Sequence, residues 1–276
     1  MISKYEQAYR DLVDSVAYAG FYRTSRAGNT KSIFGAVLRI SSLHYGQFPI
    51  LTARKIFYKP VLGELTAFLK GATDLGTFKE YGCNYWDANA AAWDMNEGLP
   101  QVTQSVGQIY GAQWRAWQSN DLDQLQKLID GIYDNPYSRR HLLTTYDPSE
   151  TWQCLPPCHL LAQFNVTSNN HLDCIVYMRS VDLCLGLPSD VILYATLLLI
   201  IAKQTKLAPG NLTFMMGDTH IYENHLETWE IQRMEQCHEL PTYYLDPGAT
   251  IDNFDPDYFQ LIDYTHGDKL AYPFNV

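Results

Sequence analysis

The sequence predicts an α+β fold in a single domain spanning residues 1–276, and three observations predict it. Helical and strand-like periodicities alternate without the regular strand–helix–strand rhythm of a parallel α/β sheet. No repeat of fixed period, low-complexity tract or Gly/Ser linker divides the chain. With 276 residues, 46% hydrophobic and 18% charged, it has the balance of a globular protein with one substantial core.

The elements follow in order. Tyr9, Leu12, Val13 and Val16 recur at helical spacing, and Gly20 stops that helix. A Gly/Asn loop leads into a strand-like run at 32–40. Residues 61–70 read as a helix entered by Pro60 and ended by Gly71, because proline fits a first helical turn and glycine the position past the last. Leu122, Leu125, Leu128, Ile129 and Ile132 mark a further helix, which Asn135-Pro136 halts before Ser138-Arg139-Arg140. Three runs rich in β-branched and aromatic residues, 141–146, 159–166 and 171–180, are expected as neighbouring strands. An apolar helix at 191–203, a strand at 212–216 and a helix around 222–235 complete the pattern.

Charge and composition exclude several classes. A net charge of −10 disfavours a general nucleic-acid binder, so no nucleic-acid partner is expected, and an anionic small substrate would need a local arginine pocket. The opening Met1-Ile2-Ser3-Lys4-Tyr5-Glu6 lacks the basic, apolar and small-residue succession of a signal peptide. The longest apolar stretch, 191–202, contains Tyr194 and Thr196 and reads as a buried helix rather than a membrane span. Six scattered cysteines then read as reduced thiols, and a cytoplasmic protein is expected.

Leu155-Pro156-Pro157-Cys158-His159 is the sharpest local feature, since two prolines stiffen the approach to a cysteine that begins a strand. Alone, such a cysteine reads as a buried structural thiol. Further blocks change its standing: Gln108-Ile109-Tyr110-Gly111-Ala112-Gln113-Trp114-Arg115, Ser138-Arg139-Arg140, Met178-Arg179-Ser180-Val181-Asp182-Leu183-Cys184-Leu185-Gly186-Leu187-Pro188, and Gly217-Asp218-Thr219-His220-Ile221-Tyr222-Glu223-Asn224-His225. In order and spacing, along nearly the whole chain, these blocks resemble the thymidylate synthase family.

The resemblance implies a homodimer formed through a twisted mixed sheet, with each active site borrowing residues from the partner. It also implies covalent catalysis in which the Cys158 thiolate adds to C6 of a pyrimidine nucleotide and makes C5 nucleophilic toward 5,10-methylenetetrahydrofolate, a cosubstrate, with no metal. Nearby guanidinium charge, with Arg179 as the candidate, is expected to lower the thiol pKa. By similarity the phosphate pocket comprises Arg179, Ser180, an arginine of the loop Arg23-Thr24-Ser25-Arg26-Ala27-Gly28-Asn29-Thr30, and Arg139 with Arg140 from the partner subunit. Of the two loop arginines, Arg26 is favoured over Arg23. His220 and Tyr222 match the pair that holds the sugar 3′-hydroxyl, and their i, i+2 spacing puts them on one face of an extended segment. Glu64 matches the carboxylate that organises protons and water, and Tyr110 and His159 join it and Cys158 as catalytic candidates. Trp86, Asp182, Gly186 and the terminal Val276 are expected on the folate side.

One departure bears on the substrate. Where these synthases carry an aromatic and a uracil-reading asparagine after Gly-Leu-Pro, this chain has Ser189-Asp190. A carboxylate cannot donate to O4 of uracil but can accept from the N4 amine of cytosine, and it can stabilise a proton on N3 once sulfur has added. The same exchange is expected in deoxycytidylate hydroxymethylases, so dCMP is favoured over dUMP, with Asp190 both binding and catalytic. The expected setting is the cytoplasm of a bacterium or of a phage-infected host cell.

The fate of the C5 methylene divides the features. His159, Leu155 and the tail Tyr272-Pro273-Phe274-Asn275-Val276 look synthase-like, whereas Asn89 in place of a second tryptophan, Ser189 and an enlarged 90–107 stretch loosen the pocket toward water. Hydroxymethylation is favoured over methylation. Two rival readings are weighed. Cys154, Cys158 and His159 with His220 and His225 could suggest zinc, but no second short-spaced pair completes a site. A catalytically silent nucleotide- or RNA-binding relative would not need Cys158, Glu64 and Tyr110 intact.

Overall fold

Alternating buried and exposed side chains build the sheet on which the site rests. The computed structural model describes residues 2–25, 27–96 and 104–275. Strands β1 (Phe21–Ser25), β2 (Gly28–Ile40), β3 (Leu142–Thr144), β4 (His159–Val166), β5 (His171–Asp182) and β6 (Ala208–Tyr222) lie in the order β1-β2-β6-β5-β4-β3. β5 and β6 are parallel and the other neighbours antiparallel, so the sheet is mixed. The helices are α1 (Lys4–Ala19), α2 (Tyr58–Leu69), α3 (Leu75–Glu80), α4 (Asp87–Asn96), α5 (Tyr110–Arg115), α6 (Gln124–Asp134), α7 (Gly186–Gln204) and α8 (Leu226–Gln232), and a separate hairpin joins β7 (Thr242–Leu245) to β8 (Phe259–Ile262). The fold is α+β, as the irregular alternation of periods predicts.

The core lies between the sheet and α7. Leu212, Phe214 and Met216 of β6 and Cys174, Val176 and Met178 of β5 are buried, and residues 191–202 of α7 are buried without exception. α7 is longer than the apolar run foretells, because Pro188 is accommodated in its first turn and Gly186 begins it. Its 19 residues would satisfy a membrane span by length and composition, but here 78% of the apolar window is packed inside the protein.

Four local expectations need correction. The Gly/Asn loop is a β-hairpin in which Ser25 faces Gly28. Its first strand is exposed along its whole length and so carries no burial alternation to read. Leu122 lies outside α6, because Asp123 caps that helix by accepting from the Gln126 amide at 2.9 Å. The expected strand at 212–216 extends to Tyr222, so the helix expected around 222–235 shrinks to a short 3-10 turn, Glu223–His225, followed by α8. The run expected at 141–146 retains only three strand residues.

Gly217 governs how closely β6 approaches β5. A Cβ there would lie 2.8 Å from the Arg179 carbonyl oxygen, so only glycine lets the strands meet at this register. The opposite face of the sheet is apolar and open: Val37, Ile175, Tyr177 and Met215 are all exposed, with Val37 and Tyr177 both in register with Met215.

Candidate active site

The C-terminal ends of the parallel pair β5 and β6 meet the first turns of α7 around a cavity of about 640 Å³. Strand ends supply Arg179, Ser180 and Asp182 from β5 and His220 and Tyr222 from β6. Gly186, Ser189 and Asp190 come from α7, Glu64 from α2, and Phe274 and Asn275 from the tail. Cys158 opens into the same space just ahead of β4.

The wall around Cys158 is fastened by backbone contacts. Arg179 Nε donates to the Pro157 carbonyl at 2.8 Å and Nη2 to that of Pro156 at 2.7 Å, so the guanidinium clips the diproline turn in front of the sulfur. The Cys158 amide donates to the Tyr110 hydroxyl at 2.8 Å, and the same hydroxyl reaches the sulfur. Tyr110 has φ +23°, rare for a residue with a side chain, and is held there among the rings of Phe68, Trp86 and His159. His159 stacks on it with centroids 3.9 Å apart and bonds Tyr194 Oη through Nδ1 at 2.6 Å. Burial pulls the imidazole down to about 3, so it is neutral near pH 7. Burial pushes the Cys158 thiol up, against the Arg179 charge and the Tyr110 hydrogen bond that pull it down, while Asp190 adds to the rise. This corrects the expectation of a thiol lowered by its arginine: Arg179 does pull it down, but desolvation outweighs the guanidinium.

Three carboxyls line the same cavity. Trp86 Nε1 donates to Glu64 Oε1 at 2.8 Å, but burial dominates and raises Glu64 to about 7. Asp190 is pushed well above the ordinary carboxylate range by burial first, then by Glu64 and Asp182. Asp182 Oδ1 accepts from the Cys184 amide at 2.9 Å. On the third side, His220 Nδ1 lies 3.0 Å from Asp218 Oδ1, whose other oxygen pairs with Arg23 at 3.2 Å. Asp218 thereby fixes the ring of His220 and leaves Nε2 for a ligand.

This arrangement of thiol, arginine and paired carboxyls suits nucleophilic addition to a base with managed protons. The family model described as thymidylate synthase matches residues 7–276. A protein named thymidylate synthase 1/2 from Encephalitozoon cuniculi (strain GB-M1) is 34% identical over 273 residues, covering 94% of this chain and 92% of that protein. The chain belongs to the thymidylate synthase family. Thymidylate synthases act as homodimers that transfer a one-carbon unit to C5 of a pyrimidine nucleotide, with 5,10-methylenetetrahydrofolate as cosubstrate. Folate-dependent C5 transfer is therefore the activity of this chain's family.

Against that family, the candidate residues divide into four groups. Cys158, Glu64, Arg179, Ser180, Asp182, Gly186, Asp190, His220 and Tyr222 are brought to one cavity. Tyr110 and His159, named as catalytic candidates, and Trp86, expected on the folate side, do not line it: they stand behind Cys158 and Glu64 as buried supports. Arg139 and Arg140 lie exposed between α6 and β3, away from the cavity of their own chain. Arg26 and Val276 fall outside the described residues, although Ser25 and Ala27 on either side of Arg26 line the cavity. Of the enlarged 90–107 stretch, 97–103 likewise falls outside them.

The sequence reading missed Asp218, Tyr85 and Tyr194. The block Gly217–Tyr222 contained the signal for Asp218, since in a strand 218, 220 and 222 share a face. Among the described residues, the potential metal-ligating group is Asp182, Cys184 and His225, not the Cys154, Cys158 and His159 cluster weighed from the sequence. The folate fits the site as found, with an apolar and aromatic floor and a carboxyl, Asp182, facing the cavity.

Proposed function

We propose that the chain, as one catalytic domain, hydroxymethylates C5 of dCMP, and the observation that carries this reading is the Asp190 carboxyl in the cavity beside Cys158. Its raised pKa refines the argument from the sequence. A neutral carboxyl can donate as well as accept, so it can pair with either base, but only cytosine has an N3 that can take the proton while N4–H donates to the other oxygen. The resulting charge-assisted pair strengthens as sulfur adds at C6. Uracil, with N3 already protonated, cannot take that proton at N3.

In this reading Arg179, Ser180, and Arg139 with Arg140 from the partner subunit hold the phosphate, with Arg26, next in sequence to the cavity-lining Ser25 and Ala27; His220 and Tyr222 hold the sugar, and Asp182 faces the pterin. The folate supplies the one-carbon unit. Cys158 forms the bond to C6 and Asp190 holds the proton at N3. Once the C5 proton has passed to water and the folate amine has left the adduct as tetrahydrofolate, the base carries an exocyclic methylene; Glu64, near 7, accepts the proton of the water that adds to it, and re-formation of the C5–C6 double bond expels the Cys158 thiolate. Asn89 and Ser189 line the cavity where larger aromatics would exclude that water, which favours the hydroxymethyl over the methyl product. The exposed apolar face of β2, β5 and β6 is assigned to the partner subunit of the dimer.

Incubation with methylenetetrahydrofolate and dCMP or dUMP tests the reading by product mass and folate absorbance. Hydroxymethyl-dCMP with tetrahydrofolate supports it; methylation with dihydrofolate moves the chain to a methylase; turnover of dUMP equal to or above that of dCMP overturns the base assignment.

A further inference from the structure

Asp182 is backed by two side chains that the proposed chemistry does not use. It ends β5, Cys184 lies two residues on in the loop to α7, and His225 comes from the 3-10 turn after β6. Cys184 and His225 are fully buried, while Asp182 is partly exposed where it lines the cavity. A carboxylate oxygen, the Cys184 sulfur and an imidazole nitrogen lie within 4.8 Å of one another. The histidine offers one particular nitrogen. Its Nε2 lies 2.7 Å from the Pro273 carbonyl oxygen, which can only accept, so Nε2 carries the hydrogen and Nδ1 the lone pair. Nδ1 is buried and makes no hydrogen bond. At 3.7 Å from Asp182 Oδ1 it is too far for one, but two ligands of a tetrahedral zinc stand roughly 3.4–3.6 Å apart at the usual bond lengths.

We propose that Asp182, Cys184 and His225 form a site for one divalent ion of the zinc class, entered from the cavity and in competition with the folate for Asp182. Thiolate, imidazole and carboxylate together select a borderline-soft ion over magnesium or calcium. A carbonyl behind the ring, here that of Pro273, is the usual partner that holds a metal-bound imidazole in its tautomer. The loop carrying the thiol is fixed by its backbone: the Cys184 amide donates to Asp182 Oδ1 at 2.9 Å, the Leu183 amide to the His220 carbonyl at 2.9 Å, and Arg54 Nη2 to the Cys184 carbonyl at 2.5 Å. An approach of the sulfur by about 1 Å completes the ligand face, and the fourth position stays open toward the cavity. Burial pushes the Cys184 thiol well up, and Asp182 adds to the rise, against the pull of Arg54 and the Tyr272 hydrogen bond. The proton therefore leaves only when a metal replaces it: as the sulfur–metal bond forms it passes to solvent, and one thiolate and one carboxylate balance the two charges of the ion. The ion has no step in the one-carbon transfer. Its competition with the folate rests on the assignment of Asp182 to the pterin; its binding does not.

Cobalt(II), a spectroscopic substitute for zinc, tests the site in the full chain carrying Cys158→Ala, so that the nucleophile contributes no signal. One cobalt per chain should bind with a thiolate-to-cobalt charge-transfer band in the near ultraviolet and the visible bands of a four-coordinate ion, and zinc should displace it. Adding Cys184→Ser, which keeps the shape of the side chain, should remove the charge-transfer band. Adding His225→Gln should weaken binding by at least about tenfold. Circular dichroism of the metal-free variants checks that each is folded. Absence of the band in Cys158→Ala, or a band that survives Cys184→Ser, would overturn the proposal. Methylenetetrahydrofolate together with whichever of dCMP and dUMP is turned over should weaken cobalt binding at least about tenfold, one hydrogen-bonded carboxylate's worth of competition. If the band needs Cys184 and His225 but ignores the folate, the competition and the assignment of Asp182 to the pterin fail and the metal site stands. If the band is missing while Asp182→Asn raises the folate KM in the chain with Cys158 intact, the metal site fails and the assignment stands.

Discussion

The two walls of the cavity are built on different principles. The Cys158 wall is held by the backbone and the core: two prolines, a guanidinium clip, and the stack of Tyr110 on His159 backed by Tyr194. The other wall is electrostatic: burial drives Glu64 and Asp190 toward their protonated forms, and Glu64 and Asp182 add to the rise at Asp190. The first wall fixes where the sulfur stands, and under the proposed function the second decides which base and which protons it meets. Rigid placement of the nucleophile leaves selectivity to a few carboxyls, which can change without disturbing the fold.

The sharpest break of this contrast is on the first wall. Cys158→Ser should lower turnover by at least about 10³-fold, since a hydroxyl has no accessible anion here, with tritium release from C5 as the assay. On the second wall, Glu64→Gln should cost about 10²- to 10⁴-fold, and the limb near pH 7 in the kcat/KM profile should vanish with it. The same carboxyl has a stability signature. Its folded pKa of about 7 lies above the ordinary 4.5, so the native state binds the extra proton and stability falls as pH rises between these values. The loss amounts to at most about 3 kcal/mol, and urea melts of Glu64→Gln should show it missing.

Asp190→Asn should move preference from dCMP toward dUMP by about ten- to a hundredfold in kcat/KM while leaving the melting temperature unchanged or raised, because a buried acid is replaced by an amide. Unaltered base preference in competition assays would remove Asp190 from the specificity argument. Tyr110→Phe, which takes the acceptor from the Cys158 amide, should reduce turnover about tenfold. The smallest effect belongs to Tyr194→Phe. It leaves His159 Nδ1 unpartnered, so a loss of about 1–2 kcal/mol on unfolding is expected with only a few-fold change in rate.

The walls were unequally legible in the sequence. The second could be read residue by residue, because Glu64, Asp182 and Asp190 stand in motifs whose spacing survives in one dimension. The first could be read only in part. Cys158 and its prolines are contiguous, but that His159 turns inward against Tyr110 depends on the bulge between His159 and Leu161 in the pairing of β4 with β5. The extent of β6 was underestimated because Gly217 and Asp218 look like the end of a strand, whereas Gly217 is there so that the strand can continue close to β5. The Arg179 clip on the proline carbonyls has no sequence signal, since its partners are backbone atoms.

The burial of the Cys158 sulfur has a consequence for the durability of the protein. Peroxide and alkylating agents attack thiolates, and burial that pushes the Cys158 thiol up withholds from them the form they attack.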